Sequence, residues 1–454
     1  MGEKDELLQS SDECDNGTFP DDLPHKPNIF LSAKAPWLTL VMLNSFVWVY
    51  GVIQVSMFML VLPRECAVLF PGEEAVGLAS MLGIAGMSQL VSPAAGLFSD
   101  RMSSPFGRRR PFIVGGSSLA LVGLYILWFL SKEFREAGIS DRSISDSQTL
   151  YITAFFVVNV GLNICFAAYS GLIPDLVQSS ELGRASGIMG VMSASGALLG
   201  VYSIGFLDRE PFSLYIGCLI LVVVVTLLFV NETPISSPPE TIVLRDVFHV
   251  YFESLKDPDF FWVWVSRLLY YMGVSVQVFM QYFIRDCFHI SLEDARTATA
   301  VTSMITLASS ASIAAPCGIL SDSYNRTPIV YFSCVLMITV YAGWVAAFEL
   351  WHIFAWSFLY GVANGAYLSV DYALACDTLP DREEHAAQAL GVWGVAAFIG
   401  STLGPVFSGP LLYALGSTDE SDVYSHNGYA ALLACGALLL ILSALALSKL
   451  SKDY

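Results

Sequence analysis

The sequence predicts an all-α membrane protein whose twelve transmembrane helices form two pseudo-symmetric six-helix bundles. The first observation is composition: 55% of the 454 residues are hydrophobic and only 14% are charged, whereas a soluble domain carries about 25% charged residues. The second is that apolar runs of about 20 residues, long enough to cross a bilayer, recur along the chain. The third is an internal repeat that relates the two halves of the chain.

Twelve apolar segments are predicted to span the bilayer: 37–62, 74–98, 111–131, 149–173, 184–207, 212–230, 260–284, 294–320, 328–349, 351–378, 387–415 and 427–449. They divide the chain into a disordered acidic tail (1–36), a first bundle (37–230), a cytoplasmic linker (231–259), a second bundle (260–449) and a short cytoplasmic C-terminus (450–454). Most of the 22 Lys and Arg residues fall on one side of this arrangement, which predicts that both chain ends are cytoplasmic.

Two sequence patterns repeat at corresponding places in the halves. "SPAAGLFSD" (92–100) ends the second segment, and "AAPCGILSD" (314–322) ends the eighth. "IPDLVQSSELGRASGIMG" (173–190) follows the fourth segment, and "LPDREEHAAQALGVWG" (379–394) follows the tenth. A duplication of six segments explains both, and transporters are often built from such repeats with the solute site at their interface.

The charged loop "GLFSDRMSSPFGRRRP" (96–111) interrupts two apolar runs and is interpreted as a conformational hinge. Gly96 is expected to permit a close helix approach. The arginines of the loop are expected to pair with carboxylates in one conformation and release them in another. An open alternative is that the arginines only anchor the chain at the lipid headgroups. The candidate gating residues of both copies are Gly96, Asp100, Arg101, Arg108, Arg109, Asp175, Arg184, Asp322, Arg326 and Asp381.

Neutral amides inside the apolar segments are the candidate solute-binding residues. Polar groups are costly in a membrane and tend to face a cavity, and amides both donate and accept hydrogen bonds, which suits polyhydroxyl ligands. Some lie four residues apart and should share one helix face. The alternative is that they join helices to each other. The candidates are Asn44, Gln54, Asn159, Asn163, Gln277, Gln281 and Asn364, with Trp48, Tyr270, Tyr271 and Tyr367 as rings for stacking on a sugar.

Two charges lie deep inside predicted spans, several residues from either end. Arg267 follows the start of the seventh segment by seven residues, and Asp371 precedes the end of the tenth by seven. At 1.5 Å per residue both lie about 10 Å deep from the same side, so they are placed to form an ion pair. The hypothesis is that Asp371 takes up a proton and releases Arg267 during transport. A static bridge, or an arginine that reaches the membrane surface, remains the alternative.

Other classes of function are not indicated. The net charge is −18 and no basic stripe is present, so nucleic acid is not an expected partner. Nine cysteines without a CxxC pattern predict no metal site. Because P-loop and Ser/His/Asp patterns are missing from the sequence, neither enzymatic activity nor a cofactor is expected. The expected partners are the lipid bilayer and a small polar solute, with protons as an open addition, and a monomer is expected.

The quoted motifs resemble a known family. "GLFSDRMSSPFGRRR" resembles the helix 2–3 signature of the major facilitator superfamily, and "PDLVQSSELGRASG" resembles its helix 4–5 loop. "SDRMSSPFGRRRPFI" is similar to the sucrose and glycoside branch, related to glycoside-pentoside-hexuronide:cation symporters. This resemblance implies two bundles that rock around a cavity lined by helices 1, 4, 7 and 10. Asn159 stands where plant sucrose symporters carry an aspartate linked to proton coupling, so coupling is either lost or moved to Asp371.

The predicted function is transport of a sugar or glycoside by alternating access, with proton coupling open. One alternative is an exporter of amphipathic drugs or metabolites in the same superfamily, and another is a non-transporting membrane sensor. The sequence "EKDELL" (3–8) fits an acidic dileucine signal, which sorts proteins to lysosomes or vacuoles. The plasma membrane is an equal candidate.

Overall fold

The computed structural model describes residues 36–102, 104–137, 144–177, 182–207, 209–230, 255–323, 325–379, 386–418 and 423–452. Within these residues, twelve helices are long and apolar enough to cross a membrane. The predicted acidic tail and nearly all of the predicted linker lie outside the described residues.

The helices are labelled α1 to α12 in chain order. They are α1 (Ser45–Ser56, continued by Met57–Val61 and Leu62–Leu69), α2 (Glu74–Ser88 and Val91–Arg101), α3 (Arg110–Ala137), α4 (Ile144–Ser170), α5 (Leu182–Gly205), α6 (Pro211–Phe229), α7 (Pro258–Val274, continued by Ser275–Phe279 and Met280–Phe288), α8 (Leu292–Ser323), α9 (Thr327–Val345), α10 (Leu350–Asp377), α11 (Ala386–Gly416) and α12 (His426–Leu447). Short helices at Trp37–Leu43 and Leu172–Leu176 precede α1 and follow α4.

The first helix of each half changes its winding partway along. In α1, residues Met57–Val61 form a π turn directly before Pro63. In α7, residues Ser275–Phe279 form a 3₁₀ turn. The first predicted segment, 37–62, also differs from the structure. The helix is interrupted at Asn44, and the spanning part runs on to Leu69. Irregular turns of this kind within helices frequently mark functional positions.

Each half packs as its own bundle. In the first half α1 packs along α5 and α3 along α4, and in the second half α7 packs against α11 and α12 while α8 packs along α10. The halves meet where α2 lies along α11 and α5 along α8. The α2–α11 contact is close, because a methyl group at Gly409 would overlap the backbone of Ala75.

The two ends of the bundle are named here by one residue each. The Arg285 end carries the last residues of α1 and α7, and the Arg109 end carries the first residues of α3. The contacts between halves described below extend from the Arg285 end to about the middle of the bundle. Those described near the Arg109 end run within one half.

Candidate functional site

An ion pair joins α7 and α10 inside the second half. Nη1 of Arg267 contacts Oδ2 of Asp371, and the two residues are 7% and 6% exposed. The two side chains meet at the level that their predicted depths indicated. This is because both helices are regular α-helix between the pair and the Arg109 end. The two charges of a buried pair compensate each other. Removing one of them leaves the other uncompensated and lowers the free energy of unfolding by about 3–5 kcal/mol.

Aromatic rings lie against the guanidinium of this pair. The Cζ atom of Arg267 lies 3.3 Å from the ring centroid of Trp393 on α11 and 5.0 Å from that of Tyr271 on α7. A cation over a desolvated indole gains about 2 kcal/mol from the negative face of the ring. Trp393 was not among the predicted site residues, since only the packing of α11 on α7 brings it to the arginine. The charge of Arg267 is therefore held by groups from three helices.

Two of the rings predicted to stack on a ligand stack on each other. Tyr270 and Tyr367 are parallel within 4°, with ring centroids 3.4 Å apart, and both are buried. The hydroxyl of Tyr270 approaches Oδ1 of Asn364 at 3.5 Å. In this conformation the stacked faces of Tyr270 and Tyr367 cover each other, whereas Trp48 and Tyr271 are partly exposed. Stacking of these rings on a sugar stays a prediction.

The amides of the first half are mostly engaged with neighbouring helices. Asn44 donates to the carbonyl of Leu40 at 2.8 Å and approaches that of Ala185 on α5 at 3.5 Å. Asn163 donates to the hydroxyl of Ser88 on α2 at 2.8 Å. Asn159 Nδ2 bonds to Phe155 O. Of the four candidate amides of this half, Gln54 is therefore the one that is partly exposed.

The spacing of Gln277 and Gln281 predicted that they share one face of α7, but in the structure they face different neighbours. Gln277 lies in the 3₁₀ turn and lines a cleft with Trp344 and Leu432, toward α9 and α12. Gln281 is fully buried and faces α1 in the other half. Residues four apart are separated by about 40° in an α-helix. The 3₁₀ turn, with three residues per turn, covers the first part of the interval between Gln277 and Gln281 and widens this angle. The change of winding thus sends the two amides to different sites.

At the Arg109 end, the arginine loop packs into the first half. Arg109 is buried, and its Nη1 approaches Oγ of Ser99 on α2 at 3.5 Å. A methyl group at Gly171, just after α4, would overlap the guanidinium, so this glycine provides the space for the arginine. Gly96 does not have the predicted role of permitting close approach: a Cβ atom there meets no described atom within 4 Å.

The second copy of the motif makes an ion pair that the motif itself did not predict. Arg326 lies before α9, and its Nη1 is 2.7 Å from Oδ2 of Asp377 at the end of α10. In the first copy, Arg108 is half-buried and Arg184 is exposed at the start of α5. The remaining gating candidates are not characterised: the side chains of Asp100, Arg101, Asp175 and Asp322, and the whole of Asp381, lie outside the described part of the chain.

A charge network closes the Arg285 end across the two halves. Nη1 of Arg285 on α7 is 2.7 Å from Oε2 of Glu74 on α2, and its Nε is 2.6 Å from Oδ1 of Asp286. Oδ2 of Asp286 accepts from the hydroxyl of Tyr429 at 2.6 Å and from the backbone N–H of Tyr424 at 3.1 Å. Each carboxylate is buried, so the guanidinium that bridges them stabilises the closed arrangement.

Further contacts at this end also cross between the halves. The backbone N–H of Ala75 donates to the hydroxyl of Tyr424 at 3.1 Å, and burial raises the pKa of that phenol to about 12. Arg64 of α1 lies 2.7 Å from Glu293 of α8. None of these residues was predicted as a site residue, because charges near helix ends in a sequence do not reveal partners in the other half.

Comparison with known families and sequences agrees with this architecture. The family model of the Major Facilitator Superfamily matches residues 52–350 and 263–453. The general alpha-glucoside permease of Schizosaccharomyces pombe is 28% identical over 248 residues, which is 51% of this chain and 42% of the permease. The sucrose transport protein SUT1 of Oryza sativa subsp. japonica is 30% identical over 129 residues, or 27% of this chain and 23% of that protein. These alignments thus span less than half the length of either relative.

Solved structures show the same fold at low sequence identity. The nucleoside transporter NupG superposes with a TM-score of 0.65 at 11% identity, over 91% of this chain and 99% of NupG. The D-xylose-proton symporter superposes with a TM-score of 0.60 at 14% identity, over 92% of this chain and 98% of the symporter. The repeated motifs, the twelve helices and the family match lead to one conclusion: this chain is a multi-pass membrane protein that belongs to the Major Facilitator Superfamily.

Proposed function

We propose that this protein is a secondary transporter of a sugar or glycoside that works by alternating access, with Asp371 as its proton-binding group. The observation that carries the proposal is the buried Arg267–Asp371 pair in the second half, whose guanidinium lies against two aromatic rings. A glucoside permease and a sucrose transport protein among the sequence relatives favour a sugar as the solute.

The pair suits a coupling role because its energy depends on the charge of Asp371. While the carboxylate is ionised it holds Arg267 by charge and by hydrogen bonding. When it is protonated, the guanidinium loses its counter-ion inside the membrane, where an uncompensated charge is unfavourable. Protonation therefore favours a conformation in which Arg267 has another partner. Asn159 cannot take the same role, because its amide does not take up a proton near neutral pH.

We infer that the Arg285 end faces the outside or an organelle lumen and that the Arg109 end faces the cytoplasm. The distribution of Lys and Arg between the loops supports this orientation. With the halves joined from the Arg285 end to about the middle, the present conformation would be the one closed toward the outside. The orientation is tested with cysteine-free protein expressed at the plasma membrane, carrying one engineered cysteine at Phe348 or at Phe106. When a membrane-impermeant thiol reagent is added to sealed cells, only the Phe348 position should react.

The transport proposal is tested by uptake of labelled sucrose into proteoliposomes, with and without an inward proton gradient. Wild-type protein should take up sucrose faster with the gradient, and Asp371→Asn should lose that stimulation. Counterflow, in which labelled sucrose exchanges for unlabelled sucrose without net proton movement, should persist in this variant. Retained counterflow would show that the variant is folded and binds solute.

The matched control is Asp377→Asn, which neutralises a carboxylate on the same helix that pairs with Arg326 nearer the surface. It should retain stimulation by the gradient. If Asp371→Asn is stimulated as strongly as wild type, Asp371 is not the coupling group. If folded wild-type protein moves sucrose in neither assay, sucrose is not the solute and a screen of other glycosides follows.

A further inference from the structure

A buried glutamine of α7 joins the two halves through the backbone of α1. Gln281 is fully buried and lies against the π turn Met57–Val61 of the other half. With its amide nitrogen turned toward α1, the orientation that its neighbours require, it donates to the carbonyl oxygens of Met59 at 3.1 Å and Leu60 at 3.2 Å. Both hydrogen bonds cross between the halves of the protein.

The backbone of α1 offers these carbonyls because of its own sequence. Pro63 has no N–H, so the carbonyl of Met59, four residues earlier, lacks its α-helical donor. The turn before the proline is also wider than an α-helix, since the N–H of Leu62 bonds to the carbonyl of Met57. A carbonyl without a donor is costly inside a membrane. Gln281 supplies that donor only while the two halves are together.

The next residue of α7 binds α1 just beyond this π turn. The hydroxyl of Tyr282 donates to the carbonyl of Pro63 at 2.7 Å, and this tyrosine is fully buried. Two consecutive side chains of one half therefore satisfy backbone acceptors on both sides of a proline in the other half. This contact lies deeper in the bundle than the Arg285–Glu74 ion pair and does not depend on charge.

We propose that Gln281 is a positioning residue that holds α7 on α1 while the Arg285 end is closed. The proposal rests on the alternating access of the proposed function, because that end must then open in each transport cycle. On opening, the amide and the α1 carbonyls exchange their mutual bonds for water. The hydrogen bonds of Gln281 are thus present in one conformation and absent in the other, so they bias the equilibrium between the two.

The test is a pair of spin labels at two exposed positions of the Arg285 end, Val68 in the first half and Phe348 in the second (43% and 87% exposed). The labels are placed in full-length protein whose native cysteines have been replaced and whose thermal stability matches that of wild type. Gln281→Leu keeps much of the side-chain volume but removes the donor. We expect it to raise the population with the longer distance by about tenfold, which corresponds to about 1.4 kcal/mol.

Two further variants separate this effect from general loosening. Ser333→Ala removes a buried side chain–carbonyl hydrogen bond within the second half, from Ser333 to Ala363, and should leave the distances unchanged. Pro63→Ala restores an N–H that can bond to the carbonyl of Met59. In that background, Gln281→Leu should shift the distances much less than in wild type, since the two substitutions act on the same bond.

The proposal is overturned if Gln281→Leu leaves the distance distribution unchanged, or if Ser333→Ala shifts it equally. It is also overturned if the effect of Gln281→Leu is the same with and without Pro63. Should Gln281→Leu fail to fold, Gln281→Asn replaces it, because its shorter amide ends one methylene short of α1. A shift in the distances of a protein that moves no sugar would contradict the proposed function and leave the role of Gln281 intact.

Discussion

The guanidinium of Arg267 lies with its Cζ atom 3.3 Å from the ring centroid of Trp393, on a different helix from its ionic partner Asp371. The tryptophan thus ties α11 to the α7–α10 pair. Because α11 also lies along α2 of the other half, the buried pair is linked through Trp393 and α11 to the interface between the halves.

Replacement of Trp393 should weaken the hold on Arg267. Trp393→Leu is expected to lower the free energy of unfolding by about 2 kcal/mol, the value of a desolvated cation–π contact, whereas Trp393→Phe, which keeps an aromatic face, should lose less. The measurement is denaturant-induced unfolding in detergent. Repeating it in an Arg267→Met background should reduce the difference between the Leu and Phe variants, and an undiminished difference would show that only ring packing is involved.

Replacement of Asp371 alone should lower the free energy of unfolding more than replacement of both members of the pair. Asp371→Leu leaves Arg267 as an uncompensated buried charge, at about 3–5 kcal/mol, whereas the double variant Arg267→Met with Asp371→Leu replaces the pair by apolar groups and should recover most of that loss. Thermal unfolding of the three proteins measures it. A double variant as unstable as the single variant would mean that the pair is needed for the fold itself.

Loss of Glu74 should loosen the closed Arg285 end. Glu74→Gln removes the inter-half partner of Arg285 and should increase the open population by roughly fivefold to thirtyfold, as expected for about 1–2 kcal/mol. The spin-label distance between Val68 and Phe348 reports the change. Glu73→Gln neutralises the adjacent exposed carboxylate, so it is the matched control. Equal shifts in both variants would attribute the effect to net charge.

Substitution at Gly171 should act through Arg109. Gly171→Ala places a methyl group on the guanidinium and should lower the free energy of unfolding by about 1 kcal/mol, a small overpacking cost. Gly187→Ala, where a Cβ meets no described atom within 4 Å, should be neutral or stabilising, since alanine favours helix over glycine. In an Arg109→Ala background the penalty at Gly171 should disappear. A penalty that persists there would contradict this explanation.

Regular helices made part of the site predictable from the sequence. The depths of Arg267 and Asp371 followed from counting residues at a constant rise, and that count held because neither helix changes its winding between the pair and the Arg109 end. The twelve spans were predictable for a similar reason, since hydrophobic length is a local property of the sequence. The first span was the exception, because the break at Asn44 leaves no mark in composition.

Tertiary relationships were not predictable in the same way. The separation of Gln277 from Gln281 depends on a 3₁₀ turn whose residues, "SVQVF", look like any apolar helix. The partner of Gln281 is a backbone carbonyl, which has no sequence signature except the proline that frees it. Glu74 and Arg285 lie 211 residues apart and meet only in one arrangement of the halves, so no local pattern pairs them.

The 3₁₀ turn of α7 also has a mechanical consequence. A 3₁₀-helix rises about 2.0 Å per residue, against 1.5 Å for an α-helix, so the five residues Ser275–Phe279 make α7 about 2.5 Å longer than uninterrupted α-helix would. The distance of Arg285 from Arg267 along α7 therefore depends on the rise per residue of a turn that ends six residues before Arg285. Rewinding that turn would retract the charge along the bilayer normal while Arg267, on the other side of it, stayed in place.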